Sequence, residues 1–384
     1  MPVELALLAR SGSRIFLRGA VLAAVATVTL QTGCGDWRDG LEVWHGEHID
    51  FYHDPTFELC GGTRAYVDAY VPFVATELGL AVPEGIAFAW LDDQAYEDFD
   101  ACAETSGCQT GRRALSRRPV FLHEVAHAVA QVHGLNEQPF FTEGLAKALD
   151  WFEDLVVPSQ WVAIPVGEEK LPDPRPTMEL PRIDIPYAGP GSFVMFLLAR
   201  HGAAPFVAFT RALGTSTDLA TIRRQFRAAY GLDLDHETAE YMQLTPDAAS
   251  TAALECVADS VRPYDCAMPE IAWESPDAWS HTQQMDCADE AVVGGSSADW
   301  TWPSLHAVTL EVPMTGTYTI AATGDGDFQA QLGACFGCPW QHAAVTLRAG
   351  GQETVHLEAG SYYVRIRVDD GSAPEVRFTL NRTP

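Results

Sequence analysis

The chain has 384 residues, 47% of them hydrophobic, and a formal charge of −28. That length allows two or more domains with cores of their own, and the mixed composition excludes a fibrous or wholly disordered chain. So large an acidic excess works against nucleic acid or anionic lipid as a partner, because either would be repelled over most of the surface.

The first thirty-odd residues read as an export signal. Arg10, Arg14 and Arg18 form a basic leader, and residues 20–30 are an uncharged apolar run. Eleven residues are too few to span a bilayer, which favours a signal-peptide core over an anchor helix. The run ends in Leu30-Gln31-Thr32-Gly33-Cys34. A small residue followed by Cys resembles the bacterial lipobox, although Gln31 stands where an aliphatic residue is usual. The resemblance implies a signal peptide over residues 1–33, lipidation of Cys34 and a lipid anchor holding the protein to a membrane of the cell envelope, on the periplasmic side or at the cell surface. Beyond Cys34 the chain has eight Cys, an even number that suits disulfides in an exported protein. Cys102 with Cys108 and Cys256 with Cys266 are the local pairs that the spacing suggests.

A mixed α/β stretch follows. Residues 49–52 and 86–91 read as strands, and residues 63–80 between them as a helix carrying Pro72. From residue 119 to about 235 the pattern is mainly helical, interrupted by an irregular Pro-rich passage over residues 157–186. Helices are expected over residues 192–200, 205–213 and 221–230. Residues 246–300 carry three Cys, several Pro and Ser and little periodicity, and read as a disulfide-tied connector. Seven strands are expected after it, over residues 307–312, 317–322, 328–332, 344–347, 353–357, 362–368 and 375–380. That spacing indicates a β-sandwich over residues 301–384.

The chemistry concentrates on one helix. Pro119 can open it and Gly134 can close it, and the residues between are apolar on every face. Into this apolar setting fall His123, Glu124 and His127. A buried carboxylate needs something to offset its charge, and a metal with its water does so. Histidines at i and i+4 share one face, within reach of one ion, and Glu124 beside them can take a proton from a metal-bound water.

Two residues compete as third ligand. His133 approximates the metzincin spacing, but Ala130 stands where that family needs Gly to leave the helix. If the helix continues, His133 lies about 240° around from His127 and points away. Glu143, in Phe140-Phe-Thr-Glu-Gly-Leu-Ala146, lies far enough on to start a second helix, with Gly144 allowing close helix approach. Here the chain resembles the gluzincin metallopeptidases, thermolysin-like and aminopeptidase-like, whose third ligand is a Glu in such a helix. The resemblance covers residues 41–245, and only HEVAH and FTEGLA are specific within it. It implies an α+β zincin-like metallopeptidase domain, Zn²⁺ held by His123, His127 and Glu143, Glu124 as general base, and a peptide or protein substrate. Tyr187, in Tyr-Ala-Gly-Pro, resembles the Tyr-x-x-Gly segment of the aminopeptidase-like members and would stabilise the oxyanion, although Pro190 departs from that pattern. The C-terminal all-β sandwich resembles the pre-peptidase C-terminal domains of secreted bacterial proteases. The competing reading is a binding or surface-structural lipoprotein that keeps the fold without turnover.

Three further features have plainer readings. Cys335 and Cys338 suit a turn, Asp325-Gly-Asp327 a hairpin turn in preference to a Ca²⁺ site, and Arg112, Arg113, Arg117 and Arg118 a solvated loop in preference to a cleft lining.

Overall fold

The computed structural model describes residues 38–97, 106–135, 137–150, 171–186, 188–244, 262–297, 300–337, 345–369 and 371–383. Cys34, Cys102, Cys256, Cys338 and Tyr187 lie outside them. All elements below belong to the unit Gly40–Pro384.

Aromatic and β-branched residues build the first sheet. β1 (Glu42–His45) and β2 (Ile49–His53) pair antiparallel, and the short β3 (Glu58–Leu59) leads into α1 (Thr63–Glu77). α1 keeps Pro72 inside it and returns the chain to β4 (Ile86–Trp90), parallel to β2. After α2 (Asp93–Glu97), β5 (Gly107–Thr110) and β6 (Arg113–Ser116) pair antiparallel, giving the order β1-β2-β4-β6-β5. Phe51 of β2 and Phe88 of β4 are fully buried with ring centroids 5.0 Å apart, fixing the face that α1 covers.

Helices follow: α3 (Leu122–Val132), α4 (Pro139–Leu149), α5 (Arg175–Met178), α6 (Ala188–His201), α7 (Ala203–Leu213), α8 (Leu219–Tyr230) and α9 (Leu234–Tyr241). Gly134, at φ +68°, takes the chain out of α3, as its position in the sequence suggests. Gln138 starts α4 by accepting a hydrogen bond from the Phe141 N–H, with Pro139 at the first helical position.

The C-terminal part is two antiparallel four-stranded sheets. They are built from β7 (Ala278–Gln284), β9 (Ser304–Val312), β10 (Gly316–Gly324), β11 (Gln329–Ala334), β12 (Val345–Arg348), β13 (Gln352–Leu357), β14 (Gly360–Val368) and β15 (Glu375–Arg382). The orders are β13-β10-β15-β7 and β12-β11-β14-β9. Inward residues such as Tyr318, Ile320, Val364, Ile366 and Phe378 fill the space between the sheets. β8 (Gly295–Ser296) pairs instead with β3.

Three expectations need correction. β7 falls inside the stretch read as an irregular connector, because its inward positions, Trp279, His281 and Gln283, include two polar residues and so leave no apolar alternation to read. Asp325-Gly-Asp327 is not a hairpin turn: β10 and β11, which it joins, lie in different sheets. Cys266 bonds Cys335, 69 residues away, and not Cys256, while Cys60 bonds Cys287 across 227 residues. Local spacing carries no trace of pairings that the fold closes. Cys108 is disulfide-bonded.

Candidate metal centre

α3 is buried from residue 122 to residue 130, as expected of a helix apolar on every face. One turn of it places His123 above His127, and their Nε2 atoms are 3.0 Å apart. α4 brings in Glu143, whose Oε2 lies 3.2 Å from His123 Nε2 and 3.1 Å from His127 Nε2. Glu143 is 2% exposed and His127 3%. Among the described residues this is the group of three or more His, Cys, Asp or Glu side chains whose donor atoms converge.

The triangle tests whether a metal fits. Three atoms in mutual contact cannot all be satisfied by hydrogen bonds: if both Nε2 atoms donate to Oε2, the two N–H groups crowd each other along the 3.0 Å Nε2–Nε2 edge, and with fewer protons at least one edge sets lone pairs face to face. One cation shared by the three removes the conflict. Donors bonded to a tetrahedral Zn²⁺ at 2.0–2.1 Å stand about 3.3 Å from one another, close to the spacing found here. The residues fit a metal, and His133 is not among them: it caps the C-terminus of α3 outside the cluster.

Charge follows the same geometry. Burial would raise the pKa of Glu143, but hydrogen bonds with His123 and His127 and their charge hold it well below the usual carboxylate range. Arg182 Nη1 meets the other oxygen, Oε1, at 3.1 Å. Glu124, also buried, lies outside the triangle. Burial pushes its carboxyl up to about 7 in the metal-free protein; His123 pulls it down and the Glu143 charge pushes it up. It is thus a carboxylate held in apolar surroundings next to the donors, with a raised proton affinity that suits a base. Gly107 of β5 packs against it: a Cβ there would stand 2.9 Å from Glu124 Cγ and 2.1 Å from Phe121 Cε1.

The arginines of residues 112–118 have local partners. Arg112 donates to the Glu84 carbonyl, Arg117 pairs with Asp93 and Glu97, and Arg118 lies over the rings of Phe121 and Trp302. Sequence reasoning missed Arg182. It falls in the irregular Pro-rich passage, 39 positions from Glu143, and no local pattern ties the two.

No family model matches the chain, and no curated protein matches it. Among solved structures, the pre-peptidase C-terminal domain of a collagenase from Bacillus anthracis aligns over 30% of this chain and 94% of its own, at 12% identity and a TM-score of 0.20. Legionella pneumophila aminopeptidase A, solved with aspartic acid, aligns over 87% of this chain and 36% of its own, at 11% identity and a TM-score of 0.32. A GH26-CBM35 β-(1,4)-mannanase of Podospora anserina aligns over 29% of this chain at 16% identity, covering 28% of its own length, with a TM-score of 0.17. In residue order, spacing and donor geometry, His123-Glu124-x-x-His127…Glu143 matches the HExxH…E donor arrangement of gluzincin-type metallopeptidases.

Proposed function

We propose that the protein is a zinc-dependent peptidase, and the observation that carries the reading is the convergence of His123, His127 and Glu143 beside a buried Glu124. Two imidazoles and one carboxylate, with a position left for water, are a donor set that suits Zn²⁺ over harder cations such as Mg²⁺ or Ca²⁺. Zinc bound there would acidify a water and polarise a substrate carbonyl. Glu124 accepts the proton and hands it to the leaving amine, which its raised proton affinity favours. Tyr187, outside the described residues, is proposed as a hydrogen-bond donor to the carbonyl oxygen.

The cellular setting belongs to the same proposal. Residues 1–33 act as a signal peptide, Cys34 carries the lipid that tethers the protein to the cell envelope, and residues 41–245 form the catalytic region. No helix among the described residues is long and apolar enough to cross a membrane.

Zinc content and peptide hydrolysis of wild type, Glu143→Ala and Glu124→Gln test the reading together. One zinc per chain in wild type, lost in Glu143→Ala, is expected. Glu124→Gln should keep the metal and lose activity by about 10²–10⁴-fold. A folded wild type that takes up no zinc would sink the enzyme reading in favour of a binding lipoprotein.

A further inference from the structure

The Glu143 carboxylate uses its two oxygens differently. Oε2 faces both imidazoles, and Oε1 faces Arg182 Nη1 at 3.1 Å. We propose that Arg182 is a positioning residue for the metal: by holding Oε1 it fixes the carboxylate plane and reserves the single oxygen Oε2 for the ion. The inference rests on the zinc-site reading above.

The last torsion of a Glu side chain is soft and roughly two-fold, so burial alone does not settle which oxygen points at the donors. The Arg182 guanidinium settles it, since its charge attracts the one oxygen that lies 3.1 Å from Nη1 and leaves the other to the donors. The carboxylate is also where support matters most. His127 Nδ1 is buried with no hydrogen-bond partner among the described residues, so that ligand lacks the outer hydrogen bond that usually orients a metal-bound imidazole. Arg182 itself is cheap to replace. It sits on a single 3-10 turn, Arg182–Asp184, and its side chain is 47% exposed, so removing it opens no core cavity.

Two effects of Arg182 on a bound dication oppose each other. Its charge repels the ion, and its ion pair with Oε1 preorganises the ligand. The charge is half exposed and therefore screened by water and salt. Loss of an outer partner of a metal ligand typically costs 10–100-fold in affinity, so positioning should win. The two effects have opposite signs, which makes the test decisive.

The experiment is zinc affinity by chelator competition for wild type, Arg182→Met and Arg182→Lys, with melting of the metal-free forms alongside. Arg182→Met should bind zinc about 10–100-fold more weakly while melting like wild type without metal. Arg182→Lys, which keeps a donor and a charge near Oε1, should recover most of the loss. Equal or tighter binding by Arg182→Met would mean that charge repulsion prevails and would overturn the proposal while leaving the zinc site standing. A lysine variant as weak as the methionine variant would place the effect outside the ion pair with Oε1 and overturn it too. A wild type that binds no zinc would instead bring down the site reading, and this inference with it.

Discussion

At the scale of single residues the site is set by what cannot move. The spacing His123 to His127 is one helical turn, so the covalent chain alone brings two imidazoles to one point. Glu124 is positioned from the other side by a missing side chain. A Cβ at Gly107 would overlap Phe121 at 2.1 Å and press on Glu124 Cγ at 2.9 Å. Phe121 is nearly buried, so the strain cannot be relieved freely toward solvent. Gly107→Ala should therefore displace the base by a fraction of an ångström to an ångström and lower kcat by about 10²-fold, with zinc content unchanged. Parallel kinetics and elemental analysis check this, and an unaltered kcat would show that Glu124 tolerates the intrusion. His133→Ala, remote from the donor cluster, should change neither zinc content nor kcat.

Elements differ in how far their residues announce them. The strands after residue 304 are legible to within three residues at each end, because Tyr318, Ile320 and Ala322, for example, alternate with less buried neighbours. β7 is not, since His281 and Gln283 point inward where apolar residues would be read. Gly144 is legible as a close-approach residue, but not its neighbour: a Cβ there would lie 2.6 Å from Val194 Cγ2 and 2.7 Å from the Pro190 carbonyl oxygen, so α6 and not α3 is what crowds it. The polar inward positions of β7 also make a prediction. His281 meets His306 of β9 across the two sheets, Nε2 to Nε2 at 2.9 Å, and His306 Nδ1 lies 3.0 Å from the Ala291 carbonyl oxygen. Burial, and then the neighbouring His306, lowers the His281 pKa from 6.5 to about 4. Burial also lowers that of His306, against the Ala291 hydrogen bond and the Asp289 charge. With depressed folded-state values, the unfolded chain binds more protons between pH 6.5 and about 4. The sandwich should hold its full stability above that window and lose it as pH falls through it. The slope is at most about 1.4 kcal/mol per pH unit for each histidine, and less here because His281 remains partly exposed to screening solvent. Melting temperatures from pH 7 to 5 should fall more steeply for wild type than for His281→Gln/His306→Gln; parallel slopes would refute the assignment.

On the scale of the molecule, α1 ties the metal site to the sandwich. One side of it packs on α3, and its start is fastened to the connection between β7 and β8 by the Cys60–Cys287 disulfide and by Thr63, whose hydroxyl donates to the Gly294 carbonyl at 2.7 Å and accepts from its N–H at 2.9 Å. Tyr264 inserts among Tyr66, Tyr70 and Phe73 of α1, at ring distances of 4.7–5.0 Å, and joins the same apolar core as α3 and α4. The next residue, Asp265, is buried and pairs with the buried Arg365 of β14. That ion pair is the most exacting point of the junction, because each charge depends on the other for compensation. Removing one partner from such a pair typically costs about 3–5 kcal/mol, whereas replacing both with apolar side chains can be neutral. Arg365→Met should thus lower unfolding stability by roughly that amount, and Arg365→Met/Asp265→Leu should restore most of it. Because the core around α1, α3 and α4 extends to Tyr264, Val293 and Leu305 of β9, the loss should appear as one displaced transition in urea, with helical ellipticity and Trp fluorescence moving together. Two separate transitions, with only the strand-rich part shifted, would show that the sandwich and the metal-bearing helices unfold independently, and that the disulfide and Tyr264 join them without coupling them.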